Sequence, residues 1–207
     1  MPNTLSCNPS NAHSLDAIPS WESRLQLYPQ LIDAGLLQSV EAQSVSFPFD
    51  EGNPVQLDVL RTDQLHPVIS GNKWFKLKYN LIQACESGSD ELCSFGGAWS
   101  NHLHALAYLG QLMGMRTLGI VRGEEHTVES TPMLQDAHRF GMALKFVSRR
   151  QFRHYRDHPG ELADARRYVI PEGGDNALGM LGAASLIQQS RVNWSAYSHV
   201  VLAVGTG

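Results

Sequence analysis

The sequence has few cysteines, no surplus of basic residues and no long apolar run. Three cysteines in 207 residues form no disulfide framework and lack the spacing of a metal site, so we expect reduced thiols and no bound metal. A formal net charge of −4 provides no basic surface for nucleic acid. No apolar stretch reaches the length of a membrane span, and residues 1–20 lack the basic and apolar regions of a signal peptide. These absences predict a cytoplasmic protein that binds neither nucleic acid nor membrane.

What the sequence does contain is an alternation of strand and helix patterns. Its hydrophobic share of 43% and charged share of 17% are those of a globular protein. Strands are predicted at residues 55–60, 92–95, 117–121, 143–147, 168–170 and 199–204, and helices at 21–27, 72–86, 100–113, from 131 onward, 151–167 with a break at Pro159, and 178–190. This order predicts an α/β fold of two open, mostly parallel sheets with flanking helices. Residues 79–171 are expected to form a small α/β domain, and residues 1–78 and 172–207 a larger one.

Lys73 lies at the predicted start of a helix, directly after Gly71 and Asn72. The positive end of the helix dipole and partial desolvation both disfavour its charged form, and a neutral amine can attack a carbonyl. The glycine before it lets the backbone come close to a ligand. The alternative is an ordinary surface lysine, which is how we interpret Lys76 and Lys78 deeper in the same helix.

Three glycine turns follow predicted strands. The turn at residues 96–97 precedes Ser100 and Asn101, whose hydroxyl and backbone N–H groups suit a carboxylate or a phosphate. A helix cap without a ligand is the alternative there. The turn at residues 171–174 is either a ligand loop or a left-handed corner. The turn at residues 205–207 follows the last predicted strand, where a phosphate loop begins in many α/β proteins.

The histidines and serines predict neither a metal site nor acyl transfer. His102 and His104 are two residues apart, so they lie on different sides of their helix. No Gly-x-Ser-x-Gly elbow is present. The chemistry of the chain is therefore expected around Lys73 and the glycine turns.

Taken in order, four segments resemble one family of enzymes. They are Gly71-Asn72-Lys73-x-x-Lys76-Leu77, Gly96-Gly97-x-x-Ser100-Asn101-His102, Pro171-Glu172-Gly173-Gly174-x-Asn176 and Gly205-Thr206-Gly207. In combination they resemble the 1-aminocyclopropane-1-carboxylate deaminase / D-cysteine desulfhydrase family. Its members are enzymes of the tryptophan-synthase-β type, fold type II, that use pyridoxal 5'-phosphate (PLP). The resemblance runs from about Val55 to the C-terminus.

The resemblance implies a PLP-dependent deaminase or lyase that acts on a small amino acid, such as 1-aminocyclopropane-1-carboxylate or D-cysteine. Such an enzyme releases ammonia and a 2-oxo acid, and the family allows a homodimer. Lys73 would hold the cofactor covalently, and Asn101 would hydrogen-bond its phenolic oxygen. Ser100, with Asn101 and His102, would bind the substrate, and Ser100 would also act in catalysis. The phosphate cup would begin with Gly205, Thr206 and Gly207.

The resemblance also implies that family members continue beyond the turn at residues 205–207. The continuation supplies the rest of the phosphate cup and further strands of the large cofactor domain. We therefore expect the large domain to be incomplete and the 207 residues alone to show little lyase activity. Two other interpretations stay open, namely a non-catalytic remnant of the same fold and a sister PLP activity such as a racemase or dehydratase.

Overall fold

The computed structural model of the chain describes residues 15–47 and 55–202, which form a four-stranded sheet with flanking helices and a separate two-stranded ribbon. The strands are β1 (Ala42–Phe47), β2 (Val55–Leu60), β3 (Glu91–Gly96), β4 (Arg116–Arg122), β5 (Met142–Val147) and β6 (Arg167–Val169). The helices are α1 (Ile18–Leu25), α2 (Pro29–Asp33), α3 (Lys73–Glu86), α4 (Asn101–Met113), α5 (Pro132–Arg139), α6 (Arg149–Asp157), α7 (Ala177–Ala184) and α8 (Leu186–Gln189).

The four-stranded sheet is parallel throughout, in the order β5-β4-β3-β6. Every residue of β3 is buried, because helices cover both faces of the sheet. On one face, Leu92 packs in the larger core with residues of α3, α4 and α7. On the other, Cys93 and Phe95 pack with Phe152 of α6. The predicted α/β fold with a parallel sheet and flanking helices is therefore confirmed.

Helix α3 is buried on nearly all sides, and this corrects one prediction from the sequence. Every residue from position 74 to 82 is buried, so Lys76 and Lys78 are not the solvated lysines that we expected. Lys78 is fully buried and forms an ion pair with Glu22 of α1, whose carboxylate also accepts a hydrogen bond of 2.7 Å from the hydroxyl of Tyr79. The apolar stripe of α3 did not reveal that α1 and α7 cover its remaining faces.

The second sheet is a ribbon in which β1 and β2 pair antiparallel, with Val45 opposite Leu57. Strand β2 was predicted with its observed bounds, whereas β1 was missed although Val45 alternates with Ser44 and Ser46. The strand predicted at residues 199–204 is wrong over its described part. Residues 199–202 have no strand partner, and Val201 is 91% exposed. An isolated extended segment has no neighbouring strand to satisfy its backbone groups, so the apolar pattern alone does not make it a strand.

The helix predicted at residues 178–190 is divided at Ser185, where α7 ends and α8 begins. The helical stretch predicted at residues 151–167 ends before Pro159 as expected, and a short 3-10 turn follows it. Among the described residues, no helix combines the length and the apolar character that crossing a bilayer requires.

Candidate active site

Lys73 is the first residue of α3, as the sequence predicts, and its side chain is partly buried. Its amine donates a hydrogen bond of 2.6 Å to the Oδ1 atom of Asn72, the residue that precedes the helix. Burial lowers the pKa of Lys73, and the charge of Lys76 one turn further along the helix lowers it again. The neutral form of the amine, which can attack a carbonyl carbon, is therefore more populated at Lys73 than at a solvated lysine.

The loop between β3 and α4 holds Ser100 in a fixed position. The Ser100 hydroxyl caps α4 by accepting a hydrogen bond of 3.2 Å from the N–H of Leu103. A side chain on Gly96 would place its Cβ 2.6 Å from the Cβ of Ser100, so this close approach requires glycine. The hydroxyl of Thr131 also holds this loop, because it donates a hydrogen bond of 2.6 Å to the carbonyl of Ala98. Ser100 therefore caps α4, and its role toward a ligand stays a prediction.

His102 is buried at the first turn of α4, beside the sheet. Its Nε2 atom lies 2.9 Å from the hydroxyl of Ser94, and that hydroxyl donates a hydrogen bond of 2.8 Å to the carbonyl of Ile170. Because the Ser94 hydrogen is used in this way, Nε2 carries the histidine proton and Nδ1 is a bare acceptor. Nδ1 is buried without a hydrogen-bond partner. The described residues therefore leave one buried acceptor unsatisfied at this site.

The electrostatics of the site favour an anion. Burial lowers the pKa of His102 to about 3, and the charges of Lys73 and Lys76 contribute to the same shift. Helices α3 and α4 contact each other, and the charges of Lys73 and Lys76 on α3 act on His102 in the first turn of α4. The first N–H groups of α4, including those of Asn101 and His102, have no acceptor within the helix. The positive charge of Lys76 and these donors suit a carboxylate or a phosphate.

The glycine turn at residues 171–174 is a left-handed corner that packs on α3. Gly173 and Gly174 have φ of 68° and 72°, and a Cβ on Gly174 would stand 3.1 Å from the carbonyl oxygen of Lys76. The corner thus packs against the backbone of α3 at Lys76, about one turn after Lys73. This geometry matches the structural alternative that we gave for this turn.

One buried polar pair was missed by sequence reasoning. The amide of Asn176 donates a hydrogen bond of 2.8 Å to Asn80, and Asn80 in turn donates to Asn176 at 3.2 Å and to the carbonyl of Lys76 at 3.0 Å. Asn176 also caps α7. The only sequence signal was an asparagine in the middle of an apolar helix, because the two partners are 96 residues apart.

The other predicted site residues differ in their placement. Asn101 begins α4 and is exposed. Gly205, Thr206 and Gly207, predicted to begin the phosphate cup, lie outside the described residues. Over residues 15–47 and 55–202, no group of three histidine, cysteine, aspartate or glutamate side chains could hold a metal ion.

Comparisons with known proteins identify relatives of this chain. A protein of Thermotoga maritima with the provisional name 1-aminocyclopropane-1-carboxylate deaminase is 32% identical over 161 residues, which are 72% of this chain and 50% of that protein. The D-cysteine desulfhydrase of Serratia proteamaculans is 29% identical over 164 residues, or 73% of this chain and 49% of the relative. The chain thus spans about half the length of these curated relatives. No family model matches the chain.

A solved structure has the same fold. The crystal structure of an ACC deaminase homologue superposes with a TM-score of 0.60 and 24% identity, over 80% of this chain and 54% of that one. The chain is therefore an α/β protein with the fold type II architecture of PLP enzymes. Over the region that matches, it belongs to the 1-aminocyclopropane-1-carboxylate deaminase / D-cysteine desulfhydrase family.

Proposed function

We propose that this chain carries the lysine-bearing part of a PLP-dependent deaminase or desulfhydrase. Its substrate would be a small amino acid of the 1-aminocyclopropane-1-carboxylate or D-cysteine type, and its products ammonia and a 2-oxo acid. The observation that carries the proposal is the position of Lys73. It is a partly buried amine of lowered pKa at the start of α3, close enough to the first turn of α4 to lower the pKa of His102. Two relatives named for these reactions support it.

Two features of the described residues fit PLP. The amine of Lys73 is the group that would bind the cofactor aldehyde covalently. Asn101 is the exposed first residue of α4, and its side chain would hydrogen-bond the phenolic oxygen of the cofactor. We propose in addition that Gly205, Thr206 and Gly207 begin the phosphate site. When bound, PLP would withdraw electrons from the substrate Cα.

The residues of the chain would orient the substrate and move protons. The N–H groups at the start of α4, with Ser100 and Asn101, would bind the substrate carboxylate. A neutral Lys73 amine would accept a proton from the substrate, because its pKa is lowered toward working pH. His102 would stay neutral throughout, since its pKa is about 3, and it would hold Ser94 and α4 in place rather than exchange protons. The homodimer and the cytoplasmic location stay predictions of the sequence.

The proposal is tested by reductive trapping. The protein is incubated with excess PLP, reduced with borohydride and digested, and the labelled peptide is mapped. We expect the label on Lys73 and its loss in Lys73→Ala. Lys145, an exposed lysine at the far edge of the sheet, provides the control, because Lys145→Ala should label as strongly as the unmodified chain. Preferential labelling of Lys76 or Lys145 would contradict the assignment of Lys73.

The roles of the α4 residues are separated by substitution. Asn101→Ala should weaken PLP binding, measured by the visible absorbance of the bound cofactor. Ser100→Ala should mainly lower kcat for ammonia release, because a hydroxyl that binds the carboxylate matters once substrate is bound. This activity is measured in a protein extended to the full length of the relatives. Small and equal effects of both substitutions would favour the capping role alone.

A further inference from the structure

A basic pocket lies on the face of the sheet opposite α4. Its cavity is about 410 Å³ and is lined by Arg122, Arg149, Arg153, Arg156 and Phe152. Arg122 is the last residue of β4. The other three arginines are on α6, three or four residues apart, so they lie on one face of the helix. The arginine pocket, as we call this set, thus gathers four guanidinium groups from two elements of the fold.

Three of the four guanidinium groups lack an acidic partner. Over the described part of the chain, no carboxylate lies within ion-pair distance of Arg122, Arg149 or Arg153, whereas Arg156 is paired with Asp157 at 3.0 Å. Glu161, the acidic side chain that follows α6, is bound 2.9 Å from His154. All four arginines are exposed, so solvent screens their mutual repulsion, and an anion gains most where it contacts several of these guanidinium groups at once.

Phe152 fixes the geometry of the pocket. Its ring is buried in the core between α6 and the sheet, and the guanidinium carbon of Arg122 lies 5.5 Å from the ring centre. A cation held over an aromatic ring is restrained by that contact. On its other side, Arg122 comes within 3.6 Å of the position that a Cβ of Gly97 would occupy. Arg122 is exposed, and these contacts restrain its side chain, which reduces the entropy cost of binding.

We propose that the arginine pocket is an anion site for a small phosphate-bearing molecule, either inorganic phosphate or a phosphorylated metabolite. Planar guanidinium groups match the oxygens of a phosphate in paired hydrogen bonds. The cavity has the size of a small-molecule site. A nucleic acid is disfavoured because the chain has a net charge of −4.

The arginine pocket is distinct from the site at Lys73. Phe152, its one apolar residue, belongs to the smaller core with Cys93 and Phe95, whereas Lys73 and His102 lie on α3 and α4, which pack in the larger core on the other face of the sheet. The two sites approach each other at the loop after β3, since Arg122 lies near Gly97 and Ser100 follows three residues later. Binding at the arginine pocket therefore neither requires Lys73 nor depends on the function proposed above.

The test measures phosphate binding to the Lys73→Ala chain, in which PLP cannot be held covalently. Calorimetric titrations with inorganic phosphate, pyrophosphate and AMP are run at constant ionic strength. We expect saturable binding of one equivalent, and a rise in Kd of about tenfold or more when Arg149→Gln and Arg153→Gln are combined. Arg150→Gln is the matched control, because Arg150 is exposed on the same helix but does not line the cavity. Its Kd should change by less than about twofold.

The outcomes separate the possible ligands. Tighter binding of AMP than of inorganic phosphate identifies a phosphorylated metabolite as the source of the anion, and the reverse order identifies free phosphate. Absence of saturable binding by all three probes would overturn the proposal. So would an equal loss of affinity in Arg150→Gln, which would indicate general charge attraction. Binding of an acidic peptide more tightly than any phosphate probe would replace the small ligand by a protein partner.

Discussion

The packing of α7 on α3 through Gly182 gives the sharpest prediction for stability. A Cβ on Gly182 would overlap the carbonyl oxygen of Phe75 and stand 3.1 Å from its carbonyl carbon. Both contacts are with the backbone of α3, which cannot rotate away as a side chain can. Gly182→Ala must therefore move one helix relative to the other in a fully packed core. Overpacking of this kind costs about 1–3 kcal/mol, and the backbone contact places Gly182→Ala toward the upper part of that range.

The assay is urea unfolding followed by the fluorescence of the tryptophans, among them the buried Trp74. We expect the free energy of unfolding to fall by about 2–3 kcal/mol, which corresponds to a decrease in Tm of about 4–12 °C for a domain of this size. Because Phe75 is two residues from Lys73, the same displacement should also weaken PLP binding at Lys73. The two effects are measured on the same protein.

Gly160→Ala is the matched control. Gly160 is exposed, and no atom lies within 4 Å of the position of its Cβ. Its substitution should change the free energy of unfolding by less than about 0.5 kcal/mol. If Gly182→Ala were as stable as Gly160→Ala, then α3 and α7 would not be in close backbone contact, and the reasoning from the glycines would be refuted.

Two further predictions concern His102 and Thr131. An unfolded histidine takes up a proton below about pH 6.5, whereas burial keeps His102 neutral in the folded protein down to pH about 3. Stability is therefore lost as pH falls through that window. Urea unfolding at several pH values should show that the free energy of unfolding falls more steeply with decreasing pH in the wild type than in His102→Gln, by about 1.4 kcal/mol per pH unit. Equal slopes would contradict the burial of His102. Thr131→Val removes the donor to Ala98 and the cap on the N–H of Leu134, so it should destabilise by about 2 kcal/mol. The exposed cap at Thr127 is its control, and an equal cost for Thr127→Val would show that the buried bond to Ala98 adds nothing.

The sequence predicted the parallel sheet because its signals are local. Strands β3, β4 and β5 are short apolar runs bounded by helix patterns, and each was located to within about two residues of its observed bounds. The start of α4 was predicted from Ser100, whose capping role depends on a residue three positions away. Signals that depend on residues this close together along the chain can be read from a single sequence.

What the sequence could not show depends on partners that are distant along the chain. Lys78 meets Glu22 across 56 residues, and Asn80 meets Asn176 across 96. Neither pair leaves a periodic pattern. Residues 199–202 show the opposite failure, because their local pattern is that of a strand but no strand within residues 15–47 and 55–202 pairs with them. Strand propensity depends on the packing of neighbours, so it cannot be read from the segment alone.

The three lysines of α3 show why position along a helix does not identify a reactive amine. Burial lowers the pKa of both Lys73 and Lys78, but the two differ in what surrounds the charge. The carboxylate of Glu22 opposes the shift at Lys78 and stabilises the ammonium form in the core. At Lys73 the neighbouring charge is another cation, Lys76, which adds to the effect of burial. A group that must lose its proton to react is favoured where burial and charge act in the same direction, and on α3 that place is Lys73. Lys78→Met, which removes the buried ion pair without touching the start of the helix, should therefore leave the borohydride label on Lys73.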